Sequence, residues 1–439
     1  MTIFALLLAL VSAWVVDPAD PTLLVFPPYG HCMGIYRAGT EQLAMLLGGL
    51  VRFDDPQGLA CVKLSEWDSP GENDDDELAV YGVNSRTGHI IYNANMYTLG
   101  LYGGNGSGPA QLSAPHGIAA DPSGLVVVAD TGNRRVVVLE RRGTRMKTSS
   151  IIEDGFSEPW GVAIGERRSI YVTDRGTGVL RIYDSPSDPA PRSIALDRPT
   201  GVAVYGDGSW NALDERFAVV VCSGGTVLNR IEGGEVVASA GISDCGGSVF
   251  NYPVIDYYGN TWVTDSISCM IHKFDPDLDY IASFGSPGTG DRQLDRPTGL
   301  TLWRRYGQIF VAEREGARYF WVGTDMKIGS FSSSGRGFTM TGTLLEKSMV
   351  LAQVFDESGA DVATMHNGRM DTGPFTFTWD GTDVLGNPVR GGSMELVIRI
   401  EPTYSSRGYF SKTFRQRFDM DIVETGAGQD EGSRRGGRT

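Results

Sequence analysis

The stretch Pro115–Leu139, PHGIAADPSGLVVVADTGNRRVVVL, decides the fold. Its runs of Ile, Val and Leu are bounded by Asp-Pro-Ser-Gly (121–124) and Asp-Thr-Gly-Asn (130–133), the pattern of a meander of short antiparallel strands. Such a unit cannot bury both of its faces alone and needs copies of itself. The same grammar recurs at five other places, and a period of about 40 to 45 residues with four short strands per copy marks a β-propeller.

Pro-x-Gly followed by an aliphatic residue serves as the anchor of each copy. It occurs at Pro56, Pro115, Pro159, Pro199 and Pro297, and Pro253-Val254-Ile255 reads as a sixth anchor that has lost its Gly. The spacings in chain order are 59, 44, 40, 54 and 44 residues. The two long gaps carry insertions, the acidic loop from Glu66 to Glu77 and the stretch YGDGSWNALDER at 205–216. A second landmark closes the second strand of each copy: Asn84, Asp130, Asp174, Asp265 and Glu313, with Cys222 in the copy that starts at Pro199. Six copies predict six blades over residues 50–330.

From Gly337 the grammar changes to about seven strand-like runs spaced 8 to 12 residues apart, which predicts a small immunoglobulin-like β-sandwich over 335–420. The expected fold class is therefore all-β, a six-bladed β-propeller followed by that sandwich. Residues 14–49 form a lead-in, with a short helix expected at Thr40–Leu47, where a capping residue and an early Glu precede apolar positions. The last residues, 421–439, lack hydrophobic side chains and are expected to be a disordered tail.

The first residues, MTIFALLLALVSAWV, are too short an apolar run for a membrane span. With Val11 and Ala13 as the small residues before a cut, 1–13 reads as a signal peptide, and the chain as an exported protein, periplasmic, cell-surface or extracellular. Five cysteines follow: Cys32, Cys61, Cys222, Cys245 and Cys269. Export would permit Cys32–Cys61, or a pair among the later three, to form a disulfide, and an odd count leaves one thiol over. The formal charge of −15 excludes a phosphate-backbone partner, which needs a basic surface.

The segments GGNGSGPAQLSAPHGIAADPSGLVVVADTGNRRVVVL (103–139) and FGSPGTGDRQLDRPTGLTL (284–302) resemble NHL repeats. The resemblance extends over roughly residues 50–330. It implies a ring closed by completing one blade with strands from both chain ends, so the segment before Pro56 should pair with the strand near Tyr319 to Ile328. Trp379-Asp380-Gly381, Asp383 and Gly386-Asn387-Pro388-Val389 resemble the immunoglobulin-like domain of flagellar hook-capping (FlgD) proteins, a module that also ends many secreted bacterial proteins.

In such a propeller the first strand of each blade lines the central channel, and the x of Pro-x-Gly sits near one mouth. This makes Gln57, His116, Trp160, Thr200 and Thr298 the candidate binding residues, with Val254 in the fifth copy. The six-bladed peptidyl-hydroxyglycine amidating lyases hold zinc through channel histidines, one at a position resembling His116. A zinc site wants three protein ligands, and only His116 of the five His occupies such a place. His116 is thus expected to be a hydrogen-bonded structural imidazole. For Trp160, ligand stacking and packing between blades both stand.

The landmark acids are expected to fix turns by accepting backbone N–H groups two residues on. Asp275, Asp277 and Asp279 open like a calcium loop, but Tyr280 and Ser286 stand where that loop needs Gly and Glu. No G-x-S-x-G elbow is present. Related lactonases hold one axial metal with Glu, Asn and Asp, and no such trio can be picked out.

The expected function is therefore a non-enzymatic binding or scaffold protein without cofactor, recognising a protein, peptide or glycan at a propeller face. A metal-assisted lyase or hydrolase, with a divalent ion on the axis, is the alternative. A third reading makes the C-terminal module a secretion or surface-attachment signal.

Overall fold

A computed structural model describes residues 20–49, 51–67, 77–206 and 210–421. The expected signal peptide, most of the acidic loop after Glu66 and the tail beyond Asp421 lie outside the described residues. Two units are present, Pro21–Gly323 with Tyr404–Tyr409, and Thr324–Thr403 with Asp20 and 410–421.

The first unit is a ring of six antiparallel meanders. Blade 1 runs through Pro56–Val62, Ala79–Asn84, His89–Asn95 and Thr98–Gly103. Blade 2 runs through Ile118–Ala120, Leu125–Asp130, Arg135–Arg142 and Arg145–Ile152. Blade 3 starts at Pro159–Ile164, blade 4 at Val202–Tyr205, blade 5 at Phe250–Ile255 and blade 6 at Leu300–Trp303.

The valine run Val126–Val128 explains how blades stack. Side chains alternate across a strand: Val126 and Val128 pack on Tyr81 and Ile90 of blade 1, while Val127 and Ala129 pack on Ile170 and Val172 of blade 3. Both faces are buried, so the strand has no polar alternation. Each buried Val is worth roughly 1.5–3 kcal/mol. The pattern repeats between blades 3 and 4, through Leu180 and Val220, and between blades 4 and 5, through Val219 and Val263.

Closure of the ring is made by the lead-in. Leu24–Val25 and Arg37–Gly39 both add antiparallel to Gly316–Val322 of blade 6, with Leu24 facing Val322 and Arg37 facing Arg318. The pairing stops at Val322, because Met326–Ser334 belongs to the second unit, where Ile328 faces Gly342. A helix occupies Thr40–Leu47, and its Gln42 Oε1 accepts the Gly39 N–H at 3.0 Å.

The five thiols are free. Cys32 Sγ lies 3.1 Å from the Met96 carbonyl and Cys61 Sγ accepts from Thr301 at 3.3 Å, so the pairing of Cys32 with Cys61 does not form. Asp275 Oδ1 accepts the N–H groups of Asp277 and Asp279 at 2.9 and 2.8 Å, so the calcium-like string is a hairpin turn.

The second unit is a sandwich of a three-stranded sheet (Met326–Ser334, Gly337–Leu344, Gly373–Trp379) and a four-stranded one (Asp361–Met370, Ser348–Phe355, Gly392–Pro402, Lys412–Met420). Phe338, Trp379, Val350 and Ile398 meet in its core. Trp379 Nε1 donates to the Thr382 carbonyl at 2.8 Å and Asp383 Oδ1 accepts from Leu385 and Asn387, which folds the WDG-x-D string into two consecutive turns.

Candidate binding site

The six anchors form a ring of backbone contacts around one mouth of the channel. The Gly58 N–H donates to the His116 carbonyl at 3.0 Å and the Gly117 N–H to the Trp160 carbonyl at 2.8 Å. A Cβ on Gly117, Gly161, Gly201 or Gly299 would lie 2.0–2.6 Å from the next blade's x carbonyl, and this close approach is why the motif needs Gly. Asp55, Ala114, Arg198 and Arg296, each just before an anchor Pro, have φ of 40–60°. Left-handed backbone is uncommon outside Gly and disfavoured before Pro, so the mouth holds strain that the ring contacts must offset.

The same ring corrects the fifth anchor. Gly201 approaches the Asn251 carbonyl, and Phe250 faces Asp265 as Pro56 faces Asn84 and Pro159 faces Asp174. The fifth copy is thus Phe250-Asn251-Tyr252, and Val254 lies further down the strand. Counting 15 back from Asp130, Asp174 and Asp265 gives Pro115, Pro159 and Phe250, a signal already present in the sequence.

Tyr252 therefore occupies a glycine position, and its side chain goes into the mouth. Its hydroxyl lies 3.2 Å from Gln57 Oε1 and also bonds Trp160. Burial pushes its pKa well up, reinforced by the nearby Asp55 carboxylate. Gln57 Nε2 in turn donates to Asp55 Oδ1 at 2.9 Å. The His116 and Trp160 rings stack at 3.7 Å between centroids, and the Arg175 guanidinium covers Trp160 at 4.5 Å. His116 Nδ1 pairs with Thr131 Oγ1 at 3.0 Å, and burial pushes the imidazole down to about 4, so it is neutral near pH 7.

Of the residues singled out in the sequence, Gln57, His116 and Trp160 come together, joined by Tyr252 and Asp55, which sequence reasoning missed. Thr200 is buried, its N–H bonds the Val221 carbonyl of its own blade and its carbonyl accepts from Thr173 Oγ1 of blade 3; Thr298 Oγ1 donates to the Pro56 carbonyl at 2.7 Å. Both threonines staple blades and offer little to a ligand. Trp160 is half-buried between His116 and Arg175, so blade packing accounts for one face and edge exposure remains for a partner.

The landmark acids are structural, by a longer reach than expected. Asp130 Oδ1 accepts the N–H of Ser113, 17 residues earlier, while Oδ2 takes Arg135 Nε at 2.7 Å. Asp174 accepts from Ser157 and Glu158, Asp265 from Ser248, and Glu313 from Asp295. Each acid ties the connector before its own blade. Asp265 and Asp174 also take nearby N–H groups in their own turns. In blade 5 the cation is His272, 3.4 Å from Asp265. Burial opposes its charge, but the bonds to Asp265 and Cys245 outweigh burial and raise it to about 9.

Below the mouth the channel offers ≈200 Å³ of open space. Its wall is mainly the aliphatic first strands, with Cys61, Thr301, Tyr252 and Arg304 among its polar side chains and no carboxylate or imidazole among the described residues. Arg304 is tied to the wall, donating to the carbonyls of Ile255 and Val204 and to Asn211. This donor set does not fit an axial divalent metal, which wants His or carboxylate ligands.

Residues 112–139 match the NHL repeat family and 332–401 the FlgD Ig-like domain family. The chain is an NHL-repeat propeller with a C-terminal FlgD-like domain. The chain is 30% identical over 139 residues to NHL repeat-containing protein 3 of Mus musculus, a match covering 30% of this chain and 35% of that protein. It is 40% identical over 60 residues to the Homo sapiens protein of the same name, covering 14% of this chain and 17% of the other. The chain thus spans about a third or less of the length of these curated relatives. A solved structure of streptogramin B lyase is 13% identical with a TM-score of 0.43, covering 62% of this chain and 94% of that one.

Proposed function

We propose that this protein is a non-catalytic binding or scaffold protein whose NHL propeller presents the mouth around Gln57, His116, Trp160 and Asn251 to a protein, peptide or glycan. The observation that carries this reading is the channel wall, mainly aliphatic and with no carboxylate or imidazole among the described residues, which favours recognition at the outer rim. Rims of rigid scaffolds are where recognition residues concentrate. The charge of −15 favours a neutral or cationic partner. No cofactor is part of this reading, and among the described residues no group of three or more His, Cys, Asp or Glu converges.

Affinity capture with the native protein and with Trp160→Ala tests it: a specific protein or glycan retained by the first and lost by the second is the expected result. Stoichiometric divalent metal in the purified protein, together with lyase or lactonase turnover, would overturn it in favour of the enzyme.

Export belongs to the same proposal. It is supported by the apolar run and the small residues Val11 and Ala13; a mature N-terminus at Trp14 in the exported fraction is the expected outcome. Among the described residues no helix is long and apolar enough to cross a membrane. The FlgD-like domain is proposed as a secretion or attachment module, a role that unchanged export after deletion of residues 335–439 would refute.

A further inference from the structure

In blades 2 and 6 the landmark acid is met by an arginine of the next strand, Arg135 or Arg318, whose guanidinium also reaches a connector carbonyl, at Gly108 or Gly290. Blade 5 is built differently. Its cation is His272, a shorter side chain, and the connector supplies a thiol to it: Cys245 ends the helical turn Ile242–Cys245, and its side chain is hydrogen-bonded to the His272 ring. A Cβ on Gly247 would lie 3.1 Å from Cys245 Sγ and 3.2 Å from His272 Nε2, which places the sulfur on the Nε2 side of the ring.

The imidazole is held on its other sides. Nδ1 lies 2.7 Å from Ser283 Oγ, and Phe250 sits edge-on at 5.9 Å between centroids. Nε2 lies 3.4 Å from Asp265 Oδ2, a long contact, and that oxygen already accepts the N–H groups of Ser248 and Val249 at 2.6 and 3.2 Å. The Nε2 proton is therefore shared with Cys245. The other carboxylate of the turn, Asp244, is turned to the Gly241 N–H at 2.7 Å, and the Ile242 carbonyl lies 3.6 Å from Cys245 Sγ. His272 is fully buried, whereas Cys245 is partly exposed between the exposed Asp244 and Gly246. Solvent reaches Cys245 from one side, and the imidazole lies behind it.

The remaining thiols lack this setting. Burial pushes Cys32, Cys61 and Cys222 up to about 11, 12 and 12, and Cys269 is buried against the Ser266 and Ile267 carbonyls. Thiolate is the nucleophilic form of cysteine, and an adjacent imidazolium favours it. His272, raised to about 9, carries that charge near pH 7.

We propose that Cys245 is an oxidative modification site for small hydroperoxides, with His272 as its proton donor. The thiolate attacks one peroxide oxygen, so an S–O bond forms as the O–O bond breaks. The leaving hydroxide or alkoxide takes the Nε2 proton of His272. Sulfur is oxidised to the sulfenic acid and the peroxide is reduced to water or an alcohol. The partial burial of Cys245 favours such a small oxidant over a bulky one.

Full-length protein exposed to hydrogen peroxide, trapped with dimedone and digested for mass spectrometry, is expected to carry the label at Cys245, about ten-fold or more above any of the other four thiols. Alkylation by iodoacetamide reads the thiolate. In the native protein the Cys245 rate is expected to hold nearly level from about pH 8 down to about pH 6.5, where an ordinary thiol loses roughly ten-fold per pH unit. His272→Gln is expected to return Cys245 to that ordinary fall, with its fold checked by a melting curve. The native pH profile decides the matter if the variant does not fold. Absence of label at Cys245, label spread evenly over the thiols, an ordinary pH profile in the native protein, or an unchanged profile in folded His272→Gln would each overturn the proposal.

Discussion

The Tyr252 hydroxyl lies 3.2 Å from Gln57 Oε1, so a side chain of blade 5 reaches past blade 6 to one of blade 1. The two residues are 195 positions apart, and their contact spans the propeller mouth where the other copies carry glycine.

Removing only the hydroxyl isolates the polar part of that plug. Tyr252→Phe leaves Gln57 Oε1 and the Trp160 bond without their partner and is expected to cost about 1–3 kcal/mol. Tyr252→Gly restores the motif but empties the mouth, and about 3–5 kcal/mol is expected by analogy with large aromatic truncations. Urea unfolding midpoints check both, and a Gly variant as stable as the native protein would show that the plug is not part of the packed structure.

Asp130 and Arg135 form a buried pair at 2.7 Å, with Asp130 also holding the Ser113 N–H. Asp130→Ala strands the guanidinium, and roughly 3–5 kcal/mol of destabilisation is expected. Asp130→Asn keeps an acceptor for Ser113 and should cost less, as read by thermal or chemical denaturation.

The histidines give stability a maximum in pH. His31 and His116 have folded pKa values lowered to about 4, so the unfolded chain binds more protons between pH 4 and 6.5, and stability rises with pH across that window. His272 is raised to about 9, so its contribution is complete below pH 6.5 and is lost as pH climbs through 9. Denaturation midpoints from pH 4 to 9.5 are expected to peak near 6.5. His272→Gln should flatten the alkaline limb and leave the acid limb in place.

A methyl group tests the ring of close approaches. Gly117→Ala places its Cβ 2.6 Å from the Trp160 carbonyl, and about 1–3 kcal/mol of overpacking cost is expected. Gly49→Ala, where nothing lies within 4 Å, is the control and should be near neutral.

What the sequence determined by itself is local chemistry repeated in register. Pro-x-Gly anchors, landmark acids and runs of Val set six blades and a separate sandwich, because strand period and turn residues act over a few positions. Gln57, His116 and Trp160 were legible as neighbours once the repeats were aligned. Tertiary structure alone decided the rest. Phe250-Asn251-Tyr252 took the anchor position although Pro253 carries the more obvious motif, because facing Asp265 and the Gly201 contact outweigh the presence of a proline. The reach of the landmark acids to connectors about 17 residues back, the plug of Tyr252 on Gln57 and the pairing of Cys245 with His272 arise from through-space contacts between distant segments, and no local pattern encodes those.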